Sequence, residues 1–414
     1  MSEIRKIRGF QDIYGENAKK YRFVVDTARE VFDKYNFEEI ILPYVEDVSL
    51  FIRSVGEETD IVQKEMYVFE DKGGRKVALR PEGTASAVRA YIEERLYAKG
   101  GYHKLFYEGA MFRYERPQAG RYRQFHQIGA EIFGVDSPLS DAELIKMVKE
   151  MLDRLKIQVR LEINTLGDFE SRKKYMEVLK EYLKKHEKQL CEDCKKRIER
   201  NPLRVLDCKV ESCREITKEA PVLLDFLPEK HLERYEKLKE YLKAINIEFN
   251  ENPRLVRGLD YYTDTVFEFI TDKIGAQGTV AAGGRYDYLV EQLGGPKTPA
   301  LGFAAGIERL MLLVEELPEE KPLFVVIPVT SDFNIEALET AERLRKEGIK
   351  TELVLKEGSM KAKMKLSNKM GASFVVFVSE KPELKDMETG EQEIFENIDD
   401  LIDVLKKKAG MEII

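Results

Sequence analysis

The chain of 414 residues carries more sequence than one hydrophobic core usually supports, so two or three domains are expected, and 43% hydrophobic content is enough to fill them. Lys and Arg number 68 against 76 Asp and Glu, and the net charge of -8 excludes a general polyanion binder, so any contact with nucleic acid has to use local basic patches. There is no run of about 18 apolar residues and no apolar core in the N-terminal MSEIRKIRGFQD, which leads us to expect a soluble cytoplasmic protein without a membrane partner.

From Tyr21, the apolar residues Val24, Val25, Ala28, Val31, Phe32 and Tyr35 recur at helical spacing and predict an amphipathic helix. Phe37 to Leu42 reads as a strand halted by Pro43, which cannot donate to a ladder and belongs at a strand end or edge. So much apolar surface beside an edge strand serves either packing within one domain or the cover of a partner subunit. LRPEGT, residues 79–84, falls between a strand and the helix-prone Ala85 to Glu94. Thr84 is a natural cap for that helix, which leaves Glu82 as a carboxylate able to hold an amino group.

Phe106 to Gly134 reads as two alternating strands joined by a loop. Period-2 alternation puts Phe125, Gln127, Gly129 and Glu131 on one face of the second strand, with Ile128, Ala130 and Ile132 on the other. A carboxylate and an amide in mid-strand are expensive to bury without a partner, and a ligand is one such partner. The loop adds Arg113, Arg116, Arg121 and Arg123, whose fork-shaped donors suit nucleotide phosphates; a solvated basic hairpin is the plainer alternative.

Residues 139–156 predict another amphipathic helix, and LEINTLGD at 161–168 a strand and turn. From Phe169 to about Phe249 the chain turns rich in Lys, Glu and Leu, with Tyr175, Val178, Leu179, Tyr182 and His186 on one helical stripe, as in a helical insertion. All four cysteines lie in it, Cys191 and Cys194 as C-x2-C and Cys208 and Cys213 as C-x4-C. That spacing is close to a structural zinc site. Disulfides and free thiols are the alternatives, disulfides because the charged fraction of 35% and the lack of Trp resemble heat-adapted proteins.

Arg254 to Phe269 continues from an arginine and glycine into a strand that includes Tyr261, Tyr262, Val266 and Phe267. Glycine-rich stretches follow at 275–278 and in AAGGRYD, 281–287, where backbone could approach a ligand closely. Neither the Rossmann fingerprint nor the Walker phosphate loop is present. Ala300 to Val314 is a small-residue strand running into a helix, with Arg309 in its first turn. LPEEKP, 317–322, is a linker, and the strands and helices after it predict a small α/β domain with a largely parallel sheet. There Lys361, Lys363, Lys365 and Lys369 form either a solvated helix face or an RNA-facing patch.

Together these stretches resemble the histidyl-tRNA synthetases, a family of class II aminoacyl-tRNA synthetases, over nearly the whole chain. The first helix, the strand and Pro43 resemble the class II dimer motif, FRYERPQAGRYRQFHQIGAEIFG resembles motif 2, and GFAAGIERL resembles motif 3. LRPEGT, LVRGLDYYT and AAGGRYD resemble the histidine-specific signatures. The resemblance implies an α+β fold, an antiparallel sheet flanked by helices, with the catalytic core in residues 1–168 and 251–320, a helical insertion in 169–250 and a C-terminal α/β anticodon-binding domain in 321–414. It implies a cytoplasmic homodimer that joins L-histidine to ATP, with Mg2+ on the phosphates, and passes the histidyl group to the 3'-terminal adenosine of histidine tRNA. Arg113 and Arg257 would be catalytic, with Arg257 in place of a metal or lysine. Arg113, Glu115, Arg121, Phe125 and Arg309 would bind ATP. Histidine would be held by Glu82, Gly83, Thr84, Arg113, Gln127, Glu131, Arg257, Tyr261, Tyr262 and Tyr286, and the tRNA acceptor end by Arg116 and Gln118. The chain departs from the family's pattern at Val378-Ser379-Glu380 and at Lys363, which bears on anticodon contacts.

Two rival readings stand beside this one. A non-catalytic paralogue that regulates ATP phosphoribosyltransferase resembles the enzyme but typically lacks the C-terminal domain and parts of the ATP and histidine signatures, whereas this chain keeps Arg113, Arg257 and Arg309 and a long segment after the linker. The other is an RNA-binding or amino-acid-sensing module with an intact pocket and no transfer activity.

Overall fold

In the computed structural model, the hairpin strands run from His103–Phe112 and Gln124–Phe133, paired antiparallel with Tyr107 opposite Gly129. Residues 3–57, 59–118, 120–274 and 278–409 are described, and the chain divides into two units, Met1–Leu317 and Pro318–Ile414. Most of the glycine-rich stretch expected at 275–278 lies outside the described residues.

The hairpin sits inside an eight-stranded sheet in the order 38–39, 103–112, 124–133, 300–306, 279–285, 263–270, 160–165, 250–251. The two outermost strands pair parallel and all other neighbours antiparallel. The strand expected over Phe37 to Leu42 is only Glu38–Glu39, on the edge where Pro43 would put it.

Alternation divides the apolar side chains between two cores. Ile128, Ala130 and Ile132 face the first core with Leu161, Phe267 and Phe303, covered by the helices Glu16–Lys34, Pro138–Arg154 and Glu229–Ala244. Phe32 anchors the first of these helices, its ring centroid 5.2 Å from Phe106, 6.0 Å from Phe303 and 6.2 Å from Phe37. The other sheet face, with Tyr107, Phe133 and Tyr286, meets the helix Thr84–Glu93 and the insertion.

The insertion is helical as expected, its first helix Phe169–Lys185 capped by Asp168, whose carboxylate accepts from the Ser171 N–H at 2.9 Å. Its apolar stripe is narrower than the spacing suggested, because Val178 is exposed while Tyr175 and Leu179 are buried. His231, in the insertion's last helix, ties it to the strand Thr263–Ile270 through Asp264, at 2.5 Å, and to Asp168, at 3.1 Å.

AAGGRYD is used differently from the expectation. A Cβ on Gly283 would lie 2.2 Å from the Gly302 carbonyl and one on Gly284 2.4 Å from the Thr265 carbonyl, so these glycines admit neighbouring strands instead of a ligand. Arg285 is fully buried on Asp141 at 2.6 Å and braces the strand against the helix Pro138–Arg154.

The second unit has a five-stranded sheet in the order 351–353, 324–328, 374–378, 383–386, 392–394, the first three parallel and the last two antiparallel. Of the four lysines expected on one face of its helix Met360–Lys369, Lys363 is buried and donates to the Pro328 carbonyl at 2.7 Å, leaving Lys361, Lys365 and Lys369 exposed. Its place on the inward stripe of the helix, one turn before buried Ser367, overrides its charge.

Candidate active site

At the start of the helix Thr84–Glu93 the expected roles are exchanged. The Glu82 carboxylate accepts from the backbone N–H groups of Thr84 and Ala85, both at 2.8 Å, and so serves the orphan donors that Thr84 was expected to cap. Thr84 is the first helical residue, and its hydroxyl points to the sheet, where it donates to Glu131 at 2.8 Å. Burial raises the Glu82 pKa, and the two backbone donors oppose that rise.

Glu131 is fully buried and also accepts from the hydroxyls of Tyr107, at 3.0 Å, and Tyr286, at 2.5 Å. Burial pushes its pKa up to about 8, against the three hydroxyls that favour the anion. Small residues make the room. A Cβ on Gly302, opposite Glu131 on the next strand, would lie 1.6 Å from the Glu131 Oε2. The Tyr107 ring is bracketed by Gly83 and Gly129, where a Cβ would come within 2.2 and 2.3 Å of it.

Beside this cluster opens a cavity of about 1060 Å³. Glu82, Thr84, Gln127, Tyr261 and Tyr262 are among its lining residues, as are Arg113, Glu115, Arg121, Phe125, Arg257 and Arg309. Glu131, Gly83 and Tyr286 stand behind that lining, with Thr84 between Glu131 and the opening. Gln127 Oε1 and Arg257 Nε are buried without a hydrogen-bond partner among the described residues, and both residues line the cavity, where a water or a ligand can supply one.

The guanidinium groups come from three separate elements. Arg113 follows the first hairpin strand and is held by the Pro81 carbonyl at 2.8 Å, its Cζ 5.3 Å from the centre of the Phe125 ring. Arg309 stands in the helix Ile307–Leu313 and donates to the Thr279 carbonyl at 2.7 Å; burial and the nearby Arg121 and Arg113 hold its pKa below the usual range. Arg257 pairs with Glu268, and although burial opposes its charge, that carboxylate raises its pKa above the usual value. Glu115 accepts from Arg121 at 3.1 Å.

Of the four loop arginines only Arg113 and Arg121 line the cavity. Arg123 lies over the Tyr114 ring at 3.6 Å, and Arg116 and Gln118 are exposed on the loop. Two residues escaped the sequence reading. Tyr107 carries a signal in retrospect, a ring opposite a glycine in the paired strand, and Glu268 is an isolated carboxylate inside the apolar VFEF.

The four cysteines are brought together in the insertion. They are free, and their sulfur atoms all lie within 4.8 Å of one another, those of Cys191 and Cys208 at 3.9 Å.

An antiparallel sheet flanked by helices, with arginines from a hairpin, a loop and a following helix converging on one cavity, defines a class II aminoacyl-tRNA synthetase. Residues 9–310 match the sequence profile of histidyl-tRNA synthetase and residues 324–408 that of an anticodon binding domain. The chain belongs to the histidyl-tRNA synthetase family. It is 57% identical over 396 residues to the histidine–tRNA ligase of Aquifex aeolicus, covering 94% of this chain and 98% of that protein. The apo histidyl-tRNA synthetase of S. aureus superposes with a TM-score of 0.81 at 36% identity, covering 98% of this chain and 100% of that one. A Bacillus halodurans structure described as an ATP phosphoribosyltransferase regulatory subunit/histidyl-tRNA synthetase shares the fold, with a TM-score of 0.67 at 20% identity over 91% of this chain and 99% of that one.

Proposed function

We propose that this cavity activates L-histidine with MgATP and transfers the histidyl group to the 3'-terminal adenosine of histidine tRNA. The observation that carries this reading is the meeting, in one cavity, of the cations Arg113, Arg257 and Arg309 with the unpartnered Gln127 Oε1. In the first step a histidine carboxylate oxygen bonds to the α-phosphorus as the bond to the β-phosphate bridging oxygen breaks, and pyrophosphate leaves. Negative charge develops on the phosphoryl oxygens, and guanidinium groups already fixed by Pro81 and Glu268 stabilise it without reorganising. Arg113 and Arg257 flank the α-phosphate, while Arg309 and Arg121 hold the outer phosphates. Phe125 stacks on adenine and Glu115 accepts from its amino group, which requires Arg121 to exchange Glu115 for phosphate.

Histidine recognition falls to other residues of the cavity. Glu82, Thr84 and Gln127 hold the amino end and Tyr262 the imidazole, with Tyr261 beside it. Glu131, fed by Tyr107 and Tyr286, fixes the Thr84 hydroxyl and the polarity of the pocket floor. An apolar isostere of histidine would leave these groups unpaired, a penalty on the order of several kcal/mol. Exposed Arg116 and Gln118 meet the acceptor end of the tRNA.

At the level of the whole chain, residues 1–168 and 251–320 act as the catalytic core, 169–250 as the insertion and 321–414 as the anticodon-binding domain. Exposed Ile41, Tyr44, Val45, Val68 and Phe69 support a homodimer. Its tRNA and ATP substrates favour the cytoplasm, and among the described residues no helix is long and apolar enough to cross a membrane. The four sulfurs fit a structural zinc ion, whose bonds of about 2.3 Å put tetrahedral ligands about 3.8 Å apart. Histidine-dependent exchange of pyrophosphate into ATP, followed by charging of histidine tRNA, is the expected activity. A folded protein without that exchange would refute the reading and leave the regulatory paralogue or the sensing module.

A further inference from the structure

Residues 252–262, which carry Arg257, Tyr261 and Tyr262, form neither strand nor helix. Much of their support comes from the cysteine-bearing part of the insertion. Arg204 donates to the Gly258 carbonyl at 2.5 Å and stands 3.5 Å from the Asp260 carboxylate, to which Asn201 Nδ2 also donates at 3.1 Å. From the loop side, Arg254 donates to the carbonyls of Pro221, at 2.7 Å, Lys218, at 3.0 Å, and Ala220. Asn201 and Arg204 lie between Cys194 and Cys208, and the three carbonyls follow Cys213 at the end of its helix.

The supporting segment needs something to hold it. Its helices are 9, 4 and 8 residues long, each below the roughly 12 at which an isolated helix becomes even marginal in water. The four cysteine sulfurs close both of its halves onto one point, and Cys208 and its neighbours Leu206, Asp207 and Lys209 line the same cavity as Arg257.

We propose that a zinc ion on Cys191, Cys194, Cys208 and Cys213 turns residues 191–221 into a clamp that sets the position of the Arg257 loop, so that metal loading governs the adenylation step. The clamp rests on the zinc reading of the four thiols. Tyr262 is anchored separately, its carbonyl accepting from Arg172 at 2.6 Å in the first insertion helix, outside the clamp. The Arg257 side chain keeps its partner Glu268, but its backbone adjoins the Gly258 carbonyl that Arg204 holds, so loss of zinc displaces Arg257 more than Tyr262.

Metal analysis of the full-length reduced protein should find about one zinc per chain, and cobalt(II) in its place should give the charge-transfer absorption of a tetrahedral tetrathiolate. Stripping the metal should lower kcat for pyrophosphate exchange on the order of 100-fold, as expected for an arginine misplaced by about 1 Å, with KM for histidine changed less than about threefold. Trypsin should then cut within residues 191–221, and added zinc should reverse both effects. Arg204→Ala, which leaves every thiol in place, should keep its zinc and show the same fall in kcat with little change in KM. A folded, reduced protein without zinc overturns the zinc reading and the clamp together. Bound zinc with kcat unchanged by stripping or by Arg204→Ala overturns the clamp and leaves the metal site standing.

Discussion

Arg257 is half-buried beside Glu268, so its charge is paired inside the protein and yet remains available at the cavity wall. Arg257→Ala should lower the rate of adenylate formation by about 100- to 1,000-fold, the effect of losing one preorganised charge-stabilising donor, with histidine affinity within about threefold of the parent; single-turnover kinetics would check both. Among the described residues no cation lies within hydrogen-bond reach of Glu131, and burial lifts its pKa from 4.5 to about 8. A raised folded-state pKa means that its contribution to stability is complete below about pH 4.5 and is lost as pH rises through about 8. Glu131→Gln, isosteric and neutral, removes that loss, so its melting temperature relative to the parent should climb between about pH 5 and pH 9. Thermal melts across that range would test the sign. Both carboxylates of the pocket were visible in the sequence by position. Their partners were not, because Thr84 and Glu82 are close enough in sequence for either to cap the helix, and only the path of the chain decides which one does.

The helix Glu16–Lys34 and the hairpin were legible because their apolar periods, 3.6 and 2, are set by local geometry. The helix binds to the sheet through Phe32, and Phe32→Ala should cost about 3–5 kcal/mol in urea unfolding. On the opposite face, Gly129→Ala would press a methyl group into the Tyr107 ring. It should destabilise by about 1–3 kcal/mol and weaken histidine binding, measured by calorimetry, since Tyr107 supports Glu131. Neither glycine beside Tyr107 has a local signature, because the ring they accommodate arrives from another strand and from across the helix start. The same reason explains Lys363, which periodicity alone would place on either face.

Each unit has its own buried core, the second built around Phe324, Val326, Val376 and Leu401. Ending the chain at Leu317 should therefore leave histidine-dependent pyrophosphate exchange within about threefold of the full-length protein while cutting kcat/KM for tRNA charging by at least about tenfold, because a domain with its own core can fold alone. Hydrophobic period and local residue types were sufficient to predict the first helix, the hairpin, the helical stretch from Phe169 and the α/β arrangement after the linker, while the class II sheet came from the resemblance of the motifs to a family. Tertiary structure alone decided that Glu131 lies behind Thr84, that Glu268 holds Arg257, that the paired glycines serve strand packing, and that the sulfurs of four cysteines lie within 4.8 Å of one another. Each of these is a contact between residues far apart in the chain, and burial and charge pairing across such distances exist only once the sheet has closed.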